Sequence, residues 1–316
     1  MSNLEPNTAL HRAYTLTATT LKLQLALEQL PWRTPAIAQT LHHWLGELLG
    51  PESLTRWPEI MLGVSLTADL RGLTWCVNDE AGAFIPRLAR YFERAGVSAD
   101  EMERIAQAGA TFQPARLAGW FEIYEGNYNA GWAFPAPLPL AQALAHTASG
   151  PAVAPLAEWA ARHDVTTCTR LGRAVGGEYP YTELQIPLPG ADVEQQLAAA
   201  EDAFVVLDIA APPPVPVLTA LRQAANPDLG LSIWLSATGV VKLGLIAQQP
   251  SAGLVTRLYH AADHALDETR AAFEGVLDVP GPASIEGQRL AAGFGIISHY
   301  TLSNLAEHAI RYQKFN

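Results

Sequence analysis

The feature that most restricts how this chain can fold is a unit that keeps returning: two short alternating runs around a turn, followed by helical sequence. After Pro58, Ile60, Leu62, Val64 and Leu66 alternate with Glu59, Met61, Gly63, Ser65 and Thr67, the period of two that marks a strand with two different faces. The turn signal Asp69–Gly72 then leads into LTWCVN, which completes a first hairpin. A second hairpin is expected over Leu117–Pro135, a third over Val165–Leu188 around Gly176-Gly177, and a fourth over Leu229–Gln249 around Ala237-Thr238-Gly239. The fifth is expected from GFGIISH (Gly293–His299), a polar link TLSNL and a closing run EHAIRYQKF (Glu307–Phe315). Ahead of them, a helical segment over about residues 8–50, broken at Pro31-Trp32, reads as two helices.

Strands that arrive in adjacent pairs exclude a doubly wound parallel sheet, which places one strand per helix. The fourth hairpin shows what the faces must do. Val241, Leu243, Leu245, Ile233 and Leu235 form an apolar face, while Ser232, Trp234, Ser236, Lys242 and Gln248 form a polar one. Helices follow every hairpin and cover the apolar face. The expected fold is therefore α+β: a ten-stranded antiparallel β-barrel built from five αββα repeats, helices outside, in a single domain over residues 1–316 with the repeats from about 58 onward.

Composition excludes several classes of function. Hydrophobic residues make up 49% and charged residues 16%, the profile of a packed globular chain. With 20 Lys+Arg against 31 Asp+Glu and no basic cluster, nucleic acid is not an expected partner. No run approaches the roughly eighteen apolar residues of a membrane span, so no membrane association is expected. Cys76 and Cys168 stand far apart, and MSNLEPNTAL lacks the pattern of a secretory leader, so the cytoplasm is the expected compartment.

Other chemical motifs are weak. His260 and His264 are spaced to share a metal, but a polar helix face explains them, and no metal site is expected. LGRAVGGEYP lacks the spacing of a phosphate loop, no GxSxG elbow is present, and Pro212–Pro216 reads as a rigid connector.

Five αββα units around ten antiparallel strands resemble the ABBA aromatic prenyltransferases, and the tail GFGIISHYTLSNLAEHAIRYQKF is similar to that of the cyanobactin (ribosomal peptide) prenyltransferases, with Arg311, Tyr312, Lys314 and Phe315 in register. The resemblance implies a transferase that moves a dimethylallyl or geranyl group from its diphosphate to a side chain of a small, ribosomally made, cyclic peptide, with Mg2+ accompanying the donor and the protein acting as a monomer. It implies a catalytic base at Glu59, early on the first strand, because attack on an allylic cation leaves a proton that a carboxylate must take.

The family's diphosphate side holds Lys and Arg, and the second strands of hairpins one and two here carry none. The strand and turn cations are Arg71, Arg170, Arg173, Lys242 and Arg311, with Lys242 best placed because it interrupts an apolar strand. For diphosphate and prenyl binding the resemblance implies Arg71, Trp75, Lys242, Trp234, Arg311 and Tyr312, and for the peptide Glu122, Tyr124, Trp132 and Tyr181, with Tyr179 a further possible cation shield. Trp234, between Ser232 and Ser236, is the expected gate on prenyl length. Two alternatives stand beside the enzyme. One is a catalytically degenerate barrel of the same fold that binds a peptide or hydrophobic small molecule. The other is a lipocalin-like carrier, whose lumen would be apolar, where a transferase needs a carboxylate and cations at opposite ends.

Overall fold

A computed structural model describes residues 25–30, 59–65, 72–124, 127–146, 150–175, 180–207, 211–224, 227–262, 266–290 and 293–302. Ten strands form a closed antiparallel barrel: β1 (Glu59–Ser65), β2 (Gly72–Glu80), β3 (Arg116–Tyr124), β4 (Asn127–Phe134), β5 (Arg170–Ala174), β6 (Thr182–Pro187), β7 (Asp228–Ser236), β8 (Gly239–Gln248), β9 (Ser284–Leu290) and β10 (Gly293–Thr301). Each strand pairs with the next, and β10 returns to β1 with Met61 opposite Thr301 and Ser65 opposite Ile297. All hairpin turns lie at one end and all helical crossovers at the other.

The helices wrap the outside. They are α1 (Ala81–Arg94), α2 (Ala99–Phe112), α3 (Leu140–His146), α4 (Val153–Arg162), α5 (Val193–Val206), α6 (Val215–Arg222), α7 (Ala252–Ala262) and α8 (Leu266–Leu277). In α1, Phe84, Leu88, Tyr91 and Phe92 recur at helical spacing and are buried, a stripe that faces the barrel wall. Ser98 caps α2 by accepting from the Glu101 amide, and Asp192 caps α5 by accepting from that of Gln195. Trp159 on α4 donates its indole hydrogen to the Ala199 carbonyl of α5 at 3.0 Å, which locks two helices of the shell together.

Three details differ from expectation. The fifth hairpin is β9 with β10, and Gln288 faces Gly295 across it. Ser284–Leu290 reads poorly as a strand because, of its outward positions Ile285, Gly287 and Arg289, only the first is a large apolar residue. The ring of described strands closes through Gly293–Thr301, and Glu307–Phe315 lies outside the described residues. The run LVTRLYHAADHALDETRAAFEGVL, whose pattern predicts one long amphipathic helix after the fourth hairpin, forms two, α7 and α8. Val241 is no part of the covered apolar face and is 40% exposed, because the β7–β8 ladder shifts register there.

That bulge matters to the lumen. Val240 pairs with Leu235 and Lys242 with Trp234, so Val241 is an extra residue. A regular ladder would set Val241 opposite Trp234 and turn Lys242 toward the helices; the bulge instead aims Lys242 inward. Of the expected pair of N-terminal helices, only residues 25–30 are described, where a helical turn buries Ala26 and Leu30.

Candidate functional site

The inward face of the wall carries the chemistry. Met61, Cys76, Ala118, Trp120 and Ala133 make a small apolar patch inside the barrel, separate from the main core between barrel and helices. The rest of the lumen is polar: Thr74, Glu122, Arg170, Glu183, Gln185, Trp234, Lys242, Glu286, Gln288 and His299 surround a cavity of about 50 Å3.

At the centre is a stack. The Tyr181 ring lies parallel to that of Trp234, centroids 4.4 Å apart, and Lys242 Nζ sits 2.8 Å from the Trp234 centroid, so the indole lies between phenol and ammonium. Tyr181 donates its hydroxyl to Glu122 Oε2 at 2.7 Å. Burial pushes the Glu122 carboxyl above the usual carboxylate range, against the pull of Lys242 and the Tyr181 hydrogen bond. Burial likewise lowers Lys242, opposed by Glu122, Glu286 and Glu183, and raises Tyr181 well above an ordinary phenol. The stack therefore joins a carboxyl that burial makes harder to ionise to an amine that burial makes harder to protonate.

A second group lies beside it. Arg170 Nε is 3.4 Å from Glu183 Oε2 and its guanidinium stands over the Trp120 ring at 5.3 Å, while Gln185 donates to Glu183 Oε1 at 3.1 Å. Burial works against the Arg170 charge, but Glu183, Cys76 and Glu286 outweigh it and hold the guanidinium above its usual value. Burial also pushes the Cys76 thiol up to about 11, so it is an inert side chain at neutral pH. His299, within reach of Ser284 Oγ at 3.2 Å, is lowered to about 3 by burial and by the charges of Arg170 and Lys242. Among the described lumen residues, three carboxylates face two cations.

The expected site residues divide accordingly. Lys242, Trp234, Glu122 and Tyr181 come together in the lumen. Glu59 shares the inward face but sits at the rim with its side chain 39% exposed, where Asn78 donates to its Oε2 at 2.9 Å and Arg116 stands 3.9 Å away. Trp75 is not in the lumen. It pairs with Leu62 and Phe121, both outward, and is buried under the helices, because its position between Thr74 and Cys76 gives it the opposite parity from those inward residues. Trp132 is outward too, 5.0 Å from Phe134 and lining a pocket of about 150 Å3 between barrel and helices. Arg173 lines that same outer pocket and is held by both carboxylate oxygens of Glu101 at 2.7 Å, so it is not a lumenal cation. Arg71, Tyr179, Arg311 and Tyr312 lie outside the described residues, as does the side chain of Tyr124.

Arg170, Glu183, Glu286, Gln288 and His299 complete the lumen without having been assigned to it by their sequence, Arg170 having been named only as one spare cation. The signal was alternation: in TELQIP and SIEGQRL the polar residues fall on every second position. Carboxylate and cation are interleaved in the lumen, not set at opposite ends.

Comparison with known proteins bears on the fold. The 6-dimethylallyltryptophan synthase of Micromonospora olivasterospora, solved with DMASPP and Trp, superposes with a TM-score of 0.62 at 12% identity, covering 92% of this chain and 98% of that one. The 5-dimethylallyltryptophan synthase of Streptomyces coelicolor gives 0.59 at 11% identity over 92% and 98% of the two chains. The fold is the prenyltransferase barrel. No protein-family model matches the sequence. A PH domain-containing protein of Dictyostelium discoideum is 31% identical over 285 residues, 87% of this chain but only 61% of that protein, so the chain spans under two thirds of its length. Within this prenyltransferase barrel no described helix is long and apolar enough to cross a membrane, and no three metal-ligating side chains cluster among the described residues.

Proposed function

We propose that this chain is a prenyltransferase, working as a cytoplasmic monomer, that moves a dimethylallyl or geranyl group from its diphosphate to an aromatic or peptide acceptor held in the barrel. The observation that carries the reading is the Glu122–Tyr181–Trp234–Lys242 arrangement inside a barrel of this fold. Prenyl transfer breaks the bond between the allylic C1 and the diphosphate oxygen, forms a bond from C1 to the acceptor, and releases a proton and diphosphate. The Tyr181 ring, on the side turned away from Trp234, shields positive charge developing on the allyl group. Lys242 and Arg170 supply charge-assisted hydrogen bonds to the leaving oxygens.

The proton goes to Glu122. Its carboxyl is inside the lumen beside the stack and its raised affinity for a proton suits a base near neutral pH, whereas Glu59 is held by Asn78 at the rim. Mg2+ belongs to this reading as a companion of the donor, bound chiefly by phosphate oxygens with at most a carboxylate such as Glu59, since the described residues offer no metal cage. A cyclic, ribosomally made peptide is the proposed acceptor class.

Incubation with dimethylallyl and geranyl diphosphate and a panel of cyclic peptides and tryptophan, read by mass spectrometry, tests the proposal. A mass gain of one prenyl unit is expected. Glu122→Gln should lower transfer by at least ~10²-fold, the usual scale of general-base assistance, and Glu59→Gln by less than about tenfold. The reverse order would move the base to Glu59. A second reading, a catalytically degenerate barrel that binds a ligand without transfer, is favoured by the excess of carboxylates and by the 50 Å3 cavity, far below the ~300 Å3 of ordinary small-molecule sites. Absence of transfer with every donor and acceptor would select it.

A further inference from the structure

Two oxygens in the β9 wall are buried with no hydrogen-bond donor among the described residues: Glu286 Oε1 and Gln288 Oε1. The residues are 3% and 2% exposed, stand two apart on the strand, and both line the lumen cavity. Glu286 has contacts with Gln288 and Ser232, which leave this one oxygen unserved. A buried acceptor without a donor costs about 1–3 kcal/mol, and more when charged, so two side by side mark a place where something outside the chain supplies the donors.

The surroundings say what it is. On β8, Gly244 faces Gln288 across the ladder and Ile246 faces Glu286; a Cβ on Gly244 would run into the Glu286 carboxylate, so the glycine is what gives that carboxylate its place. The lumen holds Glu122, Glu183 and Glu286 against Lys242 and Arg170, one positive charge short. Both resident cations lie on aromatic rings, Lys242 on Trp234 and Arg170 on Trp120, so what the wall offers a further cation is the pair of acceptor oxygens on β9.

We propose that the lumen binds a small molecule through a primary ammonium group, whose N–H bonds go to Glu286 Oε1 and Gln288 Oε1. At about 10–15 Å3 for each enclosed water position, a cavity of about 50 Å3 admits an ammonium head and a carbon or two, with the remainder of the molecule directed along the lumen. Burial raises the Glu286 carboxyl, with Lys242 as the main opposing charge, and an ammonium seated here would restore the ionised form. The inference goes beyond group transfer, since it concerns binding in the absence of any prenyl donor.

Calorimetric titration of the full chain with phenethylammonium, phenethyl alcohol, pyrophosphate and MgCl2, each alone, tests it. Saturable binding is expected for the ammonium and not for the alcohol, its neutral isostere. Glu286→Gln should weaken ammonium binding roughly tenfold, and Gln288→Leu about threefold or more, the scales of a charge-assisted and a neutral hydrogen bond. Should Glu286→Gln fail to fold, Gln288→Leu alone carries the test. Equal binding of the alcohol, no ammonium binding at millimolar concentration, binding only of pyrophosphate or Mg2+, or an unchanged ammonium affinity in the folded variants would each overturn the proposal. A chain that binds the ammonium but transfers no prenyl group would retain this inference and lose the enzymatic one.

Discussion

Along β8 the side chains alternate between two environments a backbone's width apart. Leu243 and Leu245 point outward into the main core, Leu245 beside Val217 and Leu221 of α6 and Leu258 of α7, whereas Lys242 and Gly244 point inward beside Glu286. The same division runs round the ring: Leu62, Trp75, Phe121, Trp132 and Ile233 outward, Met61, Cys76, Glu122 and Trp234 inward. Outward burial of apolar side chains stabilises the barrel by about 25 cal/mol per Å2. Inward burial of charges opposes it, because desolvating ions costs more than imperfect pairing returns. One face therefore supports the fold, and the other is retained at the expense of stability, which is why it is the face to read for function.

Exchanging the environments gives the largest effect. Leu243→Lys would place an unpaired ammonium in the apolar layer and should abolish folding, judged by the loss of soluble protein and of a cooperative melt, although a lysine one residue earlier is native. A soluble, cooperatively melting Leu243→Lys protein would break the distinction between the faces. Removing the inward cation comes next. Lys242→Met leaves three carboxylates with Arg170 alone and should cost about 3–5 kcal/mol at pH 7.5, the usual penalty for stripping one partner from a buried charge group. Because Glu122 and Glu286 hold their protons above the ordinary carboxylate range, that cost should shrink by pH 5.5. Urea midpoints at the two values decide it, and an equal cost at both would mean that Lys242 contributes packing and not charge.

A smaller effect follows from His299. Its folded value of about 3 lies below the unfolded value near 6.5, so between these limits the unfolded chain binds the extra proton and stability falls as pH falls. A loss of a few kcal/mol over that window is expected in wild type and should be reduced in His299→Asn, whereas Glu122 and Glu286, raised in the fold, act in the opposite direction. Identical acid limbs in the two proteins would remove His299 from the account. The smallest effect concerns choice of donor. Trp234→Gly should shift a competition between dimethylallyl and geranyl diphosphate toward geranyl by a few-fold, and an unchanged ratio would make Trp234 a filler of the stack and nothing more.

The barrel itself was legible because alternation in EIMLGVS and in the fourth hairpin separates the faces without ambiguity. Trp75 and Trp132 were placed in the lumen by residue type, although LTWCVN already sets Trp75 with Leu73 and Val77 on the apolar side. The inward aim of Lys242 was legible in its alternation with Leu243 and Leu245, whereas the bulge that leaves Val241 exposed was not. β9 was missed although Ser284, Glu286 and Gln288 alternate along it, because its other face offers Ile285, Gly287 and Arg289 and so little apolar signal.

The pairing of β10 with β1 joins the two ends of the described barrel. Contacts that distant in sequence form late and make folding slow, because a long stretch of chain must be ordered before its closing ladder rewards it. Until that ladder forms, water still reaches Glu122, Glu183, Lys242 and Glu286 along the open seam. The unfavourable desolvation of the interior is thereby concentrated in the closing step. Substitutions that neutralise inward charges are accordingly expected to change how long the ring stays shut more than how quickly its hairpins assemble.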